Sequence, residues 1–262
     1  MSSKTNGSSA VLYEKRGPVA WVTLNRPAQF NAYNMAMRDA LFQILAAIHD
    51  DRDVRAMVLR GAGQAFSTGG DLAEFGMAPS PIVARWVRFR RDVWGMLRAL
   101  PIPTIAAIHG YTVGGGLEMA LLSDFAIAAD DTRLSLPETG AGMIPGVAGT
   151  QTTPRRLGFG RAMDLCITGR WIDAREAMLV GLVAEVVPPA QLEPRALEFA
   201  MALARFPREQ SALLKLAIWD GLELPMRDAI ALERRLAERY KMMISTPAQK
   251  SQATSKRVRA GK

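Results

Sequence analysis

Ala65-Phe66-Ser67-Thr68-Gly69-Gly70-Asp71-Leu72, then Gly114-Gly115-Gly116-Leu117-Glu118, then Pro137-Glu138, are the segments around which the chain is organised. Each glycine turn follows an apolar run that reads as a buried strand, Met57-Val58-Leu59 before the first and Ile105-Ala106-Ala107-Ile108 before the second. Both turns then open into helical pattern, so the repeating unit is strand, turn, helix and the fold class is α/β. A helix start leaves backbone N–H groups unpaired, and glycine lets a ligand come close to them. Two such amides from separate segments can grip one oxygen atom. Glu118 falls one helical turn beyond Gly115 and so on the same side. Taken alone, Gly69-Gly70 reads first as a tight turn that needs positive φ; together with the second turn, and with a carboxylate beside them, it points to chemistry.

The 262 residues, 49% hydrophobic and 22% charged, have the balance of an ordinary soluble globular chain with material for a sizeable core. A single cysteine, Cys166, excludes a disulfide framework within the chain and suits a reducing compartment. With His49 and His109 as the sole histidines there is no zinc set. His109, alone at a strand end without an acid partner, reads as structural. Residues 1–9 are polar and small with no apolar signal region, and no run approaches the ~20 apolar residues of a membrane span. The expected location is the cytoplasm, with no membrane partner. The net charge of +8, from 33 Lys and Arg against 25 Asp and Glu, suits nucleic acid, a membrane surface or a phosphorylated small molecule. Part of it is local, since Lys250, Lys256, Arg257, Arg259 and Lys262 follow one another with no acid between them.

Along the chain, Val19–Leu24 reads as a strand, and Asn25-Arg26-Pro27 ends it before a helix with Met37, Leu41, Ile44, Leu45 and Ile48 on its buried face. A basic amphipathic helix is expected over 82–100, with Trp86, Phe89, Val93 and Leu97 buried and Arg85, Arg88, Arg90, Arg91 and Arg98 in solvent. Residues 125–129 and 134–136 read as strands, with Pro137-Glu138 at the exit of the second. A helix is expected over 150–157 with Arg155 and Arg156 exposed, and another after the N-cap Asp173. Beyond Pro188 the pattern is helical only, over 192–206, 208–221 and 226–243. The expected division is a core over 10–190 and a helical region with a basic tail over 191–262. The apolar positions Leu213, Leu214, Leu216, Ile218, Ile230, Leu232, Leu236 and Tyr240 exceed what a thin layer covers by itself, so self-association is expected.

These segments resemble the crotonase family, the enoyl-CoA hydratases and isomerases. Residues 66–72 match its first signature, an apolar residue, two small residues and Gly-Ala or Gly-Asp-Leu. Residues 114–120 match Gly-Gly-Gly-x-Glu-Leu/Met-Ala, and Pro137, Glu138 and residues 145–151 match Pro-Glu then Pro-Gly-x-x-Gly-Thr-Gln. Asn25-Arg26-Pro27 with Asn31-Ala32 is a fourth marker. The resemblance implies the spiral fold of ββα units, with C-terminal helices that pack between subunits in trimers and in dimers of trimers. It implies an acyl-CoA thioester as substrate, contacts to it at Phe66, Thr68, Asp71, Leu72 and Gly114, and a backbone N–H at Gly146 that places a water. A family lysine that contacts the nucleotide end of CoA is replaced by Ala28, and Lys256 with Arg257 stands where a late phosphate-contacting pair falls. The helix over 82–100 stands where the family places its acyl pocket wall.

Adding water to an enoyl thioester, or removing its α proton, places negative charge on the thioester oxygen. The N–H groups of Gly70 and Gly115 are assigned to that oxygen, and Glu118 and Glu138 to acid and base duties. The resemblance implies a hydratase because both glutamates are present; family isomerases and several lyases keep one. No metal and no nucleotide redox cofactor is expected, coenzyme A being part of the substrate, and Gly114-Gly115-Gly116 does not match a dinucleotide loop. Other reactions on the same scaffold stay open: isomerisation, ring-substrate hydration and C–C cleavage. So does RNA binding, known of one hydratase of the family, although the retained glutamates and turns speak against binding as the sole role.

Overall fold

The computed structural model describes residues 9–80, 82–83, 86 and 90–245. Two compact units divide after Arg205. The first holds, among the described residues, the strands β1 Val11–Arg16, β2 Val19–Leu24, β3 Ala56–Gly61, β4 Ala65–Ser67, β5 Thr104–Ile108, β6 Tyr111–Val113, β7 Phe125–Ala129, β8 Arg133–Ser135, β9 Ile172–Asp173 and β10 Glu185–Val187. Its helices are α1 Met35–Asp50, α2 Val93–Ala99, α3 Gly115–Leu122, α4 Gly149–Leu157, α5 Phe159–Thr168, α6 Ala174–Leu179 and α7 Leu192–Leu203. The second unit holds α8 Arg208–Gly221 and α9 Met226–Ser245.

The larger sheet runs β1-β2-β3-β5-β7-β10, parallel except for the β1–β2 hairpin. Its central strands are largely apolar because both faces are covered, as parallel sheets require. Alternate residues serve opposite faces. Ala20, Val22, Leu24, Met57, Leu59, Ala106 and Ile108 pack in one core with Met37, Leu41 and Leu45 of α1. Val19, Trp21, Ala56, Val58, Ile105, Ala107 and Ile127 pack in the other with Leu192, Ala196 and Ala200 of α7. The smaller sheet, β4-β6-β8-β9, is parallel but for its last pair.

The chain therefore spirals: β3 to β4, β5 to β6, β7 to β8, each step leaving the large sheet for the small one. Two or three residues past the end of each small-sheet strand stand, in turn, Gly70, Gly115 at the start of the helix that carries Glu118, and Glu138. Equivalent positions in successive coils bring sequence-distant residues together.

Three expectations are corrected. The helix expected over 82–100 is broken: Ile82, Val83, Trp86 and Arg90 are helical, but the chain leaves the helix at Arg91 and Asp92 starts α2 by accepting from Gly95 N–H at 2.9 Å. Trp86, placed on the buried face, is 57% exposed, and the Arg90 guanidinium lies 4.6 Å from its ring centroid; Phe89, Arg85 and Arg88 lie outside the described residues. Arg91, expected in solvent, reaches Asp39 at 2.7 Å, and Arg156 is partly buried against α3. The helix after Pro188 packs on the large sheet through Leu192, Ala196 and Ala200, and belongs to the first compact unit.

Candidate active site

After β4 the backbone turns through Gly69 at φ +85°, a conformation that favours glycine. A methyl group there would sit 2.8 Å from Gly115 N, so the two glycine turns meet backbone to backbone. Gly70 bridges Tyr33 in parallel, with Tyr33 N–H donating to Gly69 C=O at 2.7 Å and Asp71 N–H donating to Tyr33 C=O at 2.9 Å. That pattern uses the groups on either side and leaves the Gly70 N–H out of the ladder. Gly115 is the first residue of α3, so its N–H has no acceptor within the helix. A methyl group on Gly115 would lie 3.6 Å from Gly70 N and 3.9 Å from Glu118 Oε2. Two amides and one carboxylate oxygen thus border a single small space.

Glu118 is 2% exposed on a helix whose residues 116–122 are all buried. Its Oε1 accepts three backbone N–H groups at the start of α4: Val147 and Ala148 at 2.9 Å and Gly149 at 2.6 Å. This fixes the carboxylate and leaves Oε2 toward Gly115. The third signature, residues 145–151, supplies these amides, which explains its small residues: a methyl on Gly149 would approach Glu118 Oε1 to 3.0 Å.

Glu138 opens the short 3-10 turn Glu138–Ala141. Its Oε1 is 2.8 Å from where a Gly114 methyl would be, which with the Gly114 φ of +52° accounts for that glycine. Its Oε2 is buried without a hydrogen-bond partner. Burial first, and then the charge of Glu118, pushes the Glu138 carboxyl above the usual carboxylate range. A buried carboxyl raised in this way, beside a second carboxylate fixed by backbone N–H groups, is suited to act as an acid. The turn is pinned by Thr139 Oγ1, which donates to Cys166 C=O at 2.7 Å, and by Ser135 Oγ, which donates to Gly169 C=O at 2.7 Å. The Cys166 thiol is itself raised, by burial first and then by Glu138 and Glu118.

Of the other expected site residues, two have side chains engaged within the chain. Phe66 is fully buried, and its side chain packs in the core. Asp71 is committed to Arg26, whose Nη1 donates to it at 2.8 Å and holds it below the usual carboxylate range. Arg26 Nη1 also donates to Ala32 C=O, while buried Asn31 donates through Nδ2 to Ala62 and Ala65 C=O at 2.8 and 2.7 Å. The fourth marker therefore braces the first glycine turn, a role that its spacing alone did not show. Ala28 is exposed, Thr68 N–H and Oγ1 both donate to Phe30 C=O, and Gly146 is exposed beside the amides that hold Glu118. Leu72, Phe75 and Met77 stand exposed beyond Gly70, with the Phe75 ring against Gly70 itself. His109 Nε2 meets Gly63 C=O at 3.0 Å and burial lowers its pKa, which fits a structural role. Lys256 and Arg257 lie outside the described residues.

Residues 14–253 match the family model described as enoyl-CoA hydratase/isomerase. A short-chain-enoyl-CoA hydratase of Clostridium acetobutylicum is 35% identical, over 94% of this chain and 93% of the other. A 2,3-dehydroadipyl-CoA hydratase of Escherichia coli is 34% identical, over 87% and 89%. Among solved structures, an enoyl-CoA hydratase from Bacillus anthracis superposes with a TM-score of 0.85 at 35% identity, over 95% and 96% of the two chains.

Proposed function

The chain belongs to the enoyl-CoA hydratase/isomerase family, the crotonases, and on that premise we propose that it adds water across the double bond of a 2-enoyl-CoA to give a 3-hydroxyacyl-CoA. The observation that carries the reading is the space bordered by Gly70 N, Gly115 and Glu118 Oε2, with Glu138 and its unpartnered Oε2 close by. Glu118 Oε2 takes one proton from water as the water oxygen bonds to C3. The π electrons pass to the thioester, whose oxygen takes the negative charge between the N–H groups of Gly70 and Gly115. Glu138 then gives its proton to C2, which leaves one water added, Glu118 protonated and Glu138 ionised; exchange with solvent resets both. With both carboxyls on one side of the substrate, the addition is syn.

Removing one preset donor from such a hole costs other enzymes about 3 to 4 kcal/mol, and positioned acid-base groups supply roughly 10²- to 10⁴-fold in rate. The step closes on the chain's groups, water and the substrate, so the proposal includes no metal or redox cofactor. The exposed Leu72, Phe75 and Met77 beyond Gly70 suit an apolar acyl group. The two relatives' names differ in substrate, one short-chain and one a dehydroadipyl thioester, so chain length and end group are to be read by assay. We also propose a homotrimer or dimer of trimers, supported by Leu214, Ile218, Met226 and Met242, exposed on α8 and α9. A cytoplasmic location is part of the same proposal; among the described residues no helix is long and apolar enough to cross a membrane.

The test is to incubate the protein with a panel of short, long, branched and dicarboxylic 2-enoyl-CoA thioesters in D2O. Loss of absorbance at the conjugated double bond, with one deuterium at C2 and a hydroxyl at C3, is the expected result. Migration of the double bond without water uptake would replace hydration by isomerisation.

A further inference from the structure

Helix α4 holds α3 at two places. At its start, Val147, Ala148 and Gly149 N–H hold Glu118 Oε1. In its last turn, Arg156 Nη2 donates to Leu121 C=O at 3.0 Å and to Ser123 C=O at 2.8 Å, the carbonyls at the end of α3. From Gly149 to Arg156 a helix advances about 10 Å, so the grips are well separated. Each charge sits where peptide dipoles favour it: the carboxylate at an N-terminus with unpaired N–H groups, the guanidinium on C-terminal carbonyls. Asp124, next after Ser123, adds a favourable charge to Arg156 and is itself tied to Thr104, whose N–H and Oγ1 donate to Oδ2 at 2.8 and 2.9 Å. Pro154 stands inside α4 and removes one of the helix's own bonds, which gives the Arg156 anchor more to do in that half of the helix.

We propose that Arg156 is a positioning residue for Glu118. By tying the end of α3 to the helix whose start holds the carboxylate, it sets where Glu118 Oε2 stands relative to the Gly70 and Gly115 amides. No substrate contact is assigned to it. Lysine would keep the charge and has donors enough for two carbonyls, but it lacks the reach and the fixed planar geometry of the guanidinium. The inference rests on the reading of Glu118 as the base in hydration.

The experiment is a cycle of Arg156→Met and Arg156→Lys in the parent and in the Glu118→Gln background, assayed by crotonyl-CoA hydration. Arg156→Met in the parent is expected to lower kcat about tenfold to a hundredfold, the scale of a small misplacement of a reacting group, with KM within about twofold. Arg156→Lys recovers part of the loss. In the Glu118→Gln background Arg156→Met lowers kcat no further, because groups that act as a unit are not additive. An equal loss in both backgrounds would make Arg156 merely structural, and no loss in the parent would leave it without the proposed role; either overturns the inference. Where Arg156→Met does not fold, Arg156→Lys is read in the same two backgrounds by the same criteria. Glu118→Gln at the parent rate would instead overturn the reading of Glu118, and this inference with it.

Discussion

At Gly115 the absence of a side chain decides what the site can hold. A methyl group there meets its neighbours at 3.5 to 3.9 Å, ordinary contact distances, so Gly115→Ala is expected to fold with little loss of stability. It would nonetheless stand beside Gly70 N and Glu118 Oε2, in the space proposed for the thioester oxygen and water. We predict a loss of kcat of about 10²-fold or more, the scale of losing one such donor, with thermal unfolding nearly unchanged; parent-like hydration would remove the hole from this position. Glu138 gives a second prediction. Its raised pKa means that the folded chain keeps a proton that the unfolded chain releases. This contribution to stability is complete below the ordinary glutamate range and is lost as pH rises through the raised value. Glu138→Gln carries no such titration, so the variant should gain stability relative to the parent as pH rises above the ordinary glutamate range. Parallel unfolding curves over that rise in pH would show that the carboxyl is unperturbed. The acid role follows the same direction: kcat/KM should fall on the alkaline side as Glu138 loses its proton.

At the scale of elements, long strands and helices were legible and short ones were not. β2, β3, β5 and β7 announce themselves as apolar runs because both faces are buried, and α1 by its helical spacing. β4 and β6 are three residues each, placed by pairing in the small sheet between coils of the spiral, and three residues carry no period of their own. The break before α2 was readable in principle. Asp92 is an N-cap residue type three positions before Gly95, yet the apolar spacing runs past it and suggests one continuous helix. Asp92→Ala is predicted to cost about 1 kcal/mol in urea unfolding, the usual value of a cap. An unchanged midpoint would mean that packing of Val93 and Leu97 alone sets this end. The glycine turns and both glutamates could be singled out in the sequence because the two turns occur together with carboxylates beside them, whereas either turn alone reads as a tight turn. The brace from Arg26 and Asn31, and the grip of Arg156 on α3, could not, because each acts on backbone carbonyls that no side-chain pattern marks.

For the whole molecule, the parting of the chain at residue 205 follows from α7, whose small residues Ala196 and Ala200, with Ala204 just past its end, let it lie close on the large sheet. The pair α8 and α9, with Leu222 between them, keeps Leu214, Ile218, Leu222, Met226 and Met242 exposed, large apolar side chains of the kind that self-association covers. Sedimentation at micromolar concentration should show a trimer or a hexamer, and a monomer alone would contradict the proposed assembly. The central claim is that two carboxyls and two amides, delivered by three coils of one spiral, hydrate an enoyl thioester. Its most direct test is the rate of crotonyl-CoA hydration by Glu118→Gln, Glu138→Gln and the double variant, with CoA binding measured on each. We predict that each single variant binds CoA as the parent does and loses roughly 10²-fold or more in kcat, and that the double variant loses little beyond the worse single one. Hydration at the parent rate by both single variants would contradict the account.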